Sequence, residues 1–366
     1  MTSKERVLRA FKKRQGLPDR VPVQFDLCKQ HIETFAKVLN MQPQYARSYY
    51  EDLTYRISAN EIRLKLGSDV CVVGGTVAAD FQPIPVKDEI TLNEFGMQMK
   101  PTNLYVEVVE CPLKNVTSEQ EVAAYQFPDP YAPGRFTIAQ QEIAKYGRDY
   151  FIIGDCELTL FELAWHLVDL QQYLVALATG EKWVEALNER VEDWTTQIAL
   201  QQIKLGVDAL WLGEDLGTQT STLIAPRMWR QRFKARYKRM IETFRQANPE
   251  IIIIMHSDGA VAPLLDDFIE LGVDVYNPVQ PNVPGSDPEE LKRKYGEAIS
   301  FFGGIDQQQL LPEGNPAKIR QEIQARIKIL GRNGGYLLAP AHIIQADTSP
   351  ATIQVMLAAA QEFGAY

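Results

Sequence analysis

The feature that most constrains this chain is a rhythm. Short apolar runs recur, each closed by glycine or polar residues and most followed by a stretch of helix formers. Eight runs can be marked: Val21–Phe25, Asp69–Val73, Tyr150–Ile153, Ala209–Leu212, Ile251–Met255, Val273–Tyr276, Ile299–Phe302 and Gly335–Leu338. Several are continuously apolar rather than alternating, the pattern of parallel strands buried on both faces. Helices are expected over Tyr49–Leu66, Phe161–Lys204, Pro226–Gln246, Val261–Leu271, Pro316–Leu330 and Ala351–Phe363, with Gly67, Gly206, Gly272 and Gly331 as C-caps. A related junction announces three strands: Leu66-Gly-Ser-Asp69, Leu205-Gly-Val-Asp208 and Leu271-Gly-Val-Asp274. Eight strand–helix units predict an α/β fold, a single (β/α)8 TIM barrel over residues 1–366. The alternative, a doubly wound sheet, would carry a Gly-rich phosphate fingerprint after its first strand. None stands there.

Two segments fall outside the rhythm. Thr2-x-x-Glu5 reads as a capping box opening an N-terminal helix, with Val7, Leu8 and Phe11 on one face and Pro18 as its stop. Residues 77–147 are too long for a simple crossover. They are expected to form an insertion after the second strand, with a hairpin from Met97–Met99 and Tyr105–Cys111, then a Pro-rich loop, Phe127–Pro133. It would cover the mouth, support a homodimer or serve only as decoration.

Composition excludes several functions. The net charge of −9 without Lys/Arg clusters gives no surface for nucleic acid. The four cysteines form no CxxC pair, which fits a reducing compartment. The opening MTSKERVLRAFKKR lacks the apolar core of a signal peptide. No apolar stretch reaches the roughly 18 residues needed to span a bilayer. A soluble cytoplasmic enzyme acting on a small molecule is the expectation. GxxxxGK[ST], GxSxG and HExxH are all missing, which removes support for phosphoryl transfer, α/β-hydrolase chemistry and gluzincin proteolysis.

Barrel enzymes place catalysis at the C-terminal ends of strands. Those ends carry Asp26, Glu157, Glu214, Asp215, His256, Asp258, Gln280, Asp306 and His342. His31 and His166 fall in or near helices and read as structural. Glu214, Asp215, His256 and His342 are the catalytic candidates. Asp26, Glu157, Gln280 and Asp306 are candidates for substrate contact. Glu214, His256, Asp258 and His342 together make a donor set for zinc or a harder cation. Against this stands a plainer reading, in which a strand-end histidine bonds substrate and an acidic residue caps a helix. Glu214 and Asp215 lie side by side between glycines, and sequence does not separate them. Cys156 reads as a buried structural thiol.

These motifs resemble the uroporphyrinogen decarboxylase superfamily. The resemblance rests on Ser3-Lys-Glu-Arg-Val-Leu-Arg-Ala10, Pro18-Asp-Arg-Val-Pro-Val23, Phe302-Gly-Gly-Ile-Asp306 and Ala339-Pro-Ala-His342-Ile-Ile-Gln-Ala-Asp347-Thr348-x-Pro350. It covers nearly the whole chain and implies one barrel. The decarboxylases of the superfamily carry Arg-Gln-Ala-Gly-Arg after the first strand and an aspartate after the second. Here Phe25-Asp-Leu-Cys-Lys-Gln-His31 lacks both arginines, and Val70-Cys-Val-Val-Gly-Gly-Thr76 lacks the acid. Thiol-directed methyltransferases of the superfamily bind zinc through His-x-Cys and a later Cys. Here His256-x-Asp258 replaces the first pair, and no cysteine adjoins His342. The resemblance therefore implies transfer of a methyl group from a small O- or N-methylated substrate, with zinc assistance. The acceptor would be a corrinoid carried by a separate protein, because the chain has no Asp-x-His-x-x-Gly segment. Decarboxylation of a porphyrinogen or other poly-acid is the alternative, with Lys29, Arg135 or Arg148 as substitute cations. A non-catalytic binding barrel is a third.

Overall fold

The computed structural model describes residues 1–12, 16–48, 54–102 and 106–366. Seven parallel strands curl into one sheet: β1 (Val70–Gly74), then, after an insertion holding β2 to β5, β6 (Phe151–Cys156), β7 (Ala209–Gly213), β8 (Ile252–His256), β9 (Val275–Val279), β10 (Ser300–Ile305) and β11 (Tyr336–Pro340). They are hydrogen-bonded in chain order. Helix α1 (Ser3–Lys12) opens the chain; α2 (Lys29–Val38) and α3 (Asn60–Leu66) precede β1. Next come α4 (Glu119–Ala124) and α5 (Thr137–Tyr146), then α6 (Phe161–Val168), α7 (Leu170–Thr179) and α8 (Lys182–Leu205) before β7. The remaining helices are α9 (Pro226–Arg232), α10 (Lys234–Ala247), α11 (Leu265–Leu271), α12 (Pro288–Tyr295), α13 (Leu310–Glu313), α14 (Pro316–Leu330) and α15 (Pro350–Phe363). No described helix is long and apolar enough to cross a membrane.

The first expected strand, Val21–Phe25, forms no regular strand but fills its place. Val23 and Leu27 bridge in parallel to Leu338 and Ile344, beside β11. On the other side, the Asp69 N–H donates to the Val23 carbonyl at 2.8 Å. The repeated Leu-Gly-x-Asp turn explains this closure. In each copy the glycine is left-handed, with φ of 110°, 94° and 85° at Gly67, Gly206 and Gly272. The following aspartate then clasps the preceding strand. The Asp208 N–H donates to the Ile152 carbonyl, and the Asp208 carboxylate accepts from the Ile152 N–H. Asp274 does the same with Ile253, and Asp69 with Val23. Val23 thus stands as the eighth stave.

Several expected elements differ in detail. The helix expected over Phe161–Lys204 is three helices, broken at Asp169, whose φ is 121°, and at left-handed Gly180. The helix expected over Tyr49–Leu66 is described from residue 54: Thr54 is helical, a turn interrupts, and a separate helix runs Asn60–Leu66; residues 49–53 lie outside the described residues. Gly331 ends α14 in right-handed geometry, not as a left-handed cap. The insertion carries a four-stranded antiparallel sheet rather than one hairpin: β2 (Ile84–Lys87), β3 (Ile90–Leu92), β4 (Gln98–Pro101) and β5 (Val106–Glu110). Tyr105, expected at its edge, lies outside the described residues.

Two apolar layers show which way each strand residue faces. Between sheet and helices lie Cys71, Ile152, Leu210, Leu212, Ile253 and Met255. Inside the barrel lie Val70, Val72, Ile153, Trp211, Ile254, Val275, Phe302 and Leu337. Val7 and Phe11 of α1 join that inner cluster. The α1 backbone bonds to Asp149, Ser300 and Gly335, at the starts of strands, so α1 closes the N-terminal end. The expected capping box is present: Thr2 N–H donates to Glu5 Oε2 and Glu5 N–H to Thr2 Oγ1.

Candidate active site

Strand alternation carries into the open end. Residues two apart face the same side. Ile153 is followed inward by Asp155 and Glu157, Trp211 by Gly213 and Asp215, Ile254 by His256 and Asp258, and Val275 by Asn277. One donor atom from each of Asp215, His256 and Asp258 lies within 4.8 Å of the others. His256 is buried; the two aspartates are half-buried. Glu157 Oε1 is 3.7 Å and Asp215 Oδ1 3.9 Å from His256 Nε2. His342, half-buried, joins the edge of the group, its Nε2 3.8 Å from Asp258 Oδ2.

Two glycines allow this convergence. A Cβ on Gly217 would lie 2.4 Å from the Asp258 carbonyl oxygen; one on Gly259 would lie 2.5 Å from the Gly217 carbonyl carbon. The loops after β7 and β8 therefore touch backbone to backbone. The Ala260 N–H donates to the Thr218 carbonyl, the Asp258 N–H to Asp215 Oδ1, and the Leu216 N–H to Ser257 Oγ. Gln280 supports the same turn, accepting the Gly259 N–H at 2.7 Å.

Glu214 has the opposite facing from Asp215. Its carboxylate accepts the N–H groups of Leu160, Phe161 and Glu162 at the start of α6, and the Tyr237 hydroxyl. It is a buried helix cap, outside the converging donor group. Asp306 likewise serves its own loop, accepting from the Gln308 and Gln309 N–H groups and Asn282 Nδ2. Asp26 points inward but is committed to Gln24, Arg56 and Arg63.

Arg56 and Arg63 are the residues that sequence reasoning missed. Arg56 is buried, paired with Asp26, Asp155 and Glu157, its guanidinium 4.1 Å from the Trp211 ring centroid. Arg63 holds Asp26, Asn60 and the carbonyls of Arg56 and Ser58. Neither follows a strand, so the strand-end rule did not reach them. Of the named substitutes, Arg135 lines a small cavity with Asp155 and Glu157 but is tied to Glu94. Lys29 is exposed over Tyr45, and exposed Arg148 lies just before β6, at the far end of the barrel. Cys156 turns to α8, where Gln202 Nε2 lies 3.2 Å from Sγ.

The electrostatics are those of crowded acids. Burial, with Asp258 and Glu157 nearby, pushes Asp215 up to about 6 against the pull of His256. Burial also raises Asp258, with Glu157 adding to it. Burial opposes the charge on His256, but Glu157, Asp258 and Asp215 outweigh it and raise its pKa. Burial likewise works against ionised Glu157, yet Arg56 and His256 hold it below the usual range. Burial and the neighbouring His256 lower His342 to about 4. Asp258 Oδ1 is buried and accepts no hydrogen bond among the described residues. Oxygen and nitrogen donors, crowded negative charge and an orphan carboxylate oxygen fit a divalent cation, with Asp215, His256 and Asp258 to hold it.

Comparison with known proteins gives the family. A model of uroporphyrinogen decarboxylase (URO-D) matches residues 91–363. No curated protein sequence gives a significant match. Among solved structures, a methyltransferase from Methanosarcina mazei is similar with a TM-score of 0.69 and 18% identity, over 99% of this chain and 99% of that one. Native xylanase 10B from Thermotoga maritima is similar at 0.41 and 11% identity, over 64% of this chain and 82% of its own. The URO-D match spans well over half the sequence, and the chain belongs to the uroporphyrinogen decarboxylase family.

Proposed function

We propose that this chain is a metal-dependent methyltransferase, moving a methyl group from a small O- or N-methylated substrate to the corrinoid of a separate protein. The observation that carries the reading is the convergence of Asp215, His256 and Asp258, with a buried Asp258 oxygen that has no hydrogen-bond partner among the described residues. The full-length likeness to a methyltransferase is in keeping with it. A cation such as zinc, when bound there, supplies a Lewis acid for the oxygen or nitrogen that gives up the methyl group.

The chain's own residues do the positioning. Gly217 and Gly259 hold the two donor loops in contact. Arg56, neutralised by Asp26, Asp155 and Glu157, fixes Glu157 beside His256. His342, held neutral near pH 7, presents an imidazole to the mouth as a further nitrogen donor or as a hydrogen-bond partner for the substrate heteroatom. The thiolates that would select a thiol acceptor are missing from the donor group.

Zinc content and turnover test the reading. Purified protein is expected to bind one zinc per chain and to demethylate methoxylated or N-methylated donors when reduced cobalamin is supplied. Zinc binding without turnover of any such donor removes the methyl-transfer claim; failure to bind zinc removes its metal component. Decarboxylation of a porphyrinogen is the second reading, because Arg56 and Arg63 bring two guanidinium groups to the mouth. Turnover of uroporphyrinogen would reverse the order.

A further inference from the structure

We infer that Asn277 is a positioning residue that sets the tautomer of His256, so that Nε2 is the ring atom offered to a metal. The inference rests on the metal reading above. His256 and Asn277 are register partners in the parallel pair β8–β9, so their side chains emerge on the same inner face. Asn277 Oδ1 lies 2.6 Å from His256 Nδ1, and both residues are buried.

The direction of this bond follows from the next strand. Asn277 Nδ2 donates to the Phe302 carbonyl of β10 at 3.4 Å. A carbonyl only accepts, so a flipped amide would set two acceptors against each other. Oδ1 is therefore the atom that meets the histidine. An amide oxygen also only accepts, so Nδ1 of the neutral ring must carry the hydrogen. That leaves the lone pair on Nε2, the atom that faces Glu157 and Asp215. Ligating histidines commonly have their other ring nitrogen fixed in this way by an acceptor. A second bond locks the pairing, since the Ser257 N–H donates to the Asn277 carbonyl at 2.8 Å.

The test uses the full chain with 15N-labelled histidine. His256→Gln identifies the His256 signals in metal-free protein, recorded at a pH where the ring is neutral. The wild type is expected to show the Nδ1–H form. Asn277→Leu, similar in size but without an acceptor, is expected to shift His256 toward the Nε2–H form. It should also weaken zinc binding by about 10- to 100-fold, measured by chelator competition. Asn277→Asp keeps an acceptor toward Nδ1, although its second oxygen then faces the Phe302 carbonyl, and is expected to retain the Nδ1–H tautomer. An unchanged tautomer in Asn277→Leu, or an Nε2–H ring in the wild type, overturns the inference. If the wild type binds no zinc, the metal reading fails, while the spectra still decide whether Asn277 governs the ring.

Discussion

The contact between Gly217 and Gly259 allows clash and backbone strain to be tested separately. Gly217→Ala places a Cβ 2.4 Å from the Asp258 carbonyl oxygen, where ordinary contact begins at 3.4 Å. The loops carrying Asp215 and Asp258 must then part by about 1 Å, far beyond the roughly 0.2 Å tolerance of a metal–ligand bond. Zinc affinity is expected to fall by at least about a hundredfold, in line with the effect of a 1 Å misplacement at reacting centres. Overpacking adds a stability cost of about 1–3 kcal/mol. Gly259→Ala meets a clash of similar depth and also takes a side chain at φ 84°. The left-handed backbone adds about 1–2 kcal/mol more. Gly206→Ala is the control: its φ is 94°, but nothing lies within 4 Å of the added Cβ. It should lose about 1–2 kcal/mol and no zinc affinity. Urea unfolding and chelator competition on the four proteins separate the effects. Folded Gly217→Ala and Gly259→Ala binding zinc within about threefold of the wild type would refute the idea that this contact builds the site.

Four further outcomes are expected. Glu214→Gln sets an amide N–H against an α6 N–H and should destabilise the fold by about 1–3 kcal/mol, with zinc affinity unchanged. Asp215→Asn should instead lose at least about a hundredfold in zinc affinity, and chelator competition separates the two neighbours. Arg56→Met leaves Asp26, Asp155 and Glu157 uncompensated in the interior and should cost about 3–5 kcal/mol, read by urea unfolding. Burial lowers the pKa of His166 to about 3 from an ordinary 6.5, so between those values the unfolded chain binds a proton that the folded chain does not. Stability is therefore lost as pH falls through that window, by about 2 kcal/mol from His166 at pH 5. The stability difference between wild type and His166→Gln should shrink by that amount between pH 7 and 5; a constant difference would show that His166 is not buried neutral.

The fold was legible because its signals are local. A buried parallel strand declares itself by composition, and the Leu-Gly-x-Asp turn declares a helix end and the next strand together. What escaped depended on pairing. Val21–Phe25 is apolar enough for a strand, but Pro22 lacks an N–H and the segment makes only isolated bridges. Within the insertion, Ile84–Lys87 and Ile90–Leu92 are short, and every residue of Ile84–Lys87 is exposed. Their apolar pattern is too weak to mark strands that exist only by pairing, β2 with β3 and β3 with β4.

Of the converging donor group, His256 and Asp258 stand in the metal set expected from sequence and Asp215 does not, and strand parity would have sharpened that choice. Trp211 faces inward, so Asp215, four residues on, faces inward too, while Glu214 turns to the helices. Adjacent acids at a strand end need not remain ambiguous once an inward aromatic fixes the phase. Arg56 lay beyond such reasoning, because it enters the mouth from the side and its three carboxylate partners come from distant segments. Its placement bears on the ligand. Asp26, Asp155, Glu157, Asp215 and Asp258 surround the mouth, against two guanidinium groups already paired with three of them. A poly-acid would have to pull Arg56 or Arg63 from buried partners and approach two aspartates that lie outside those arginine pairs. A cation meets those aspartates directly, and a neutral or cationic methyl donor adds no charge that the site must redistribute. The balance of charge favours the metal-assisted reading proposed above over a poly-acid substrate.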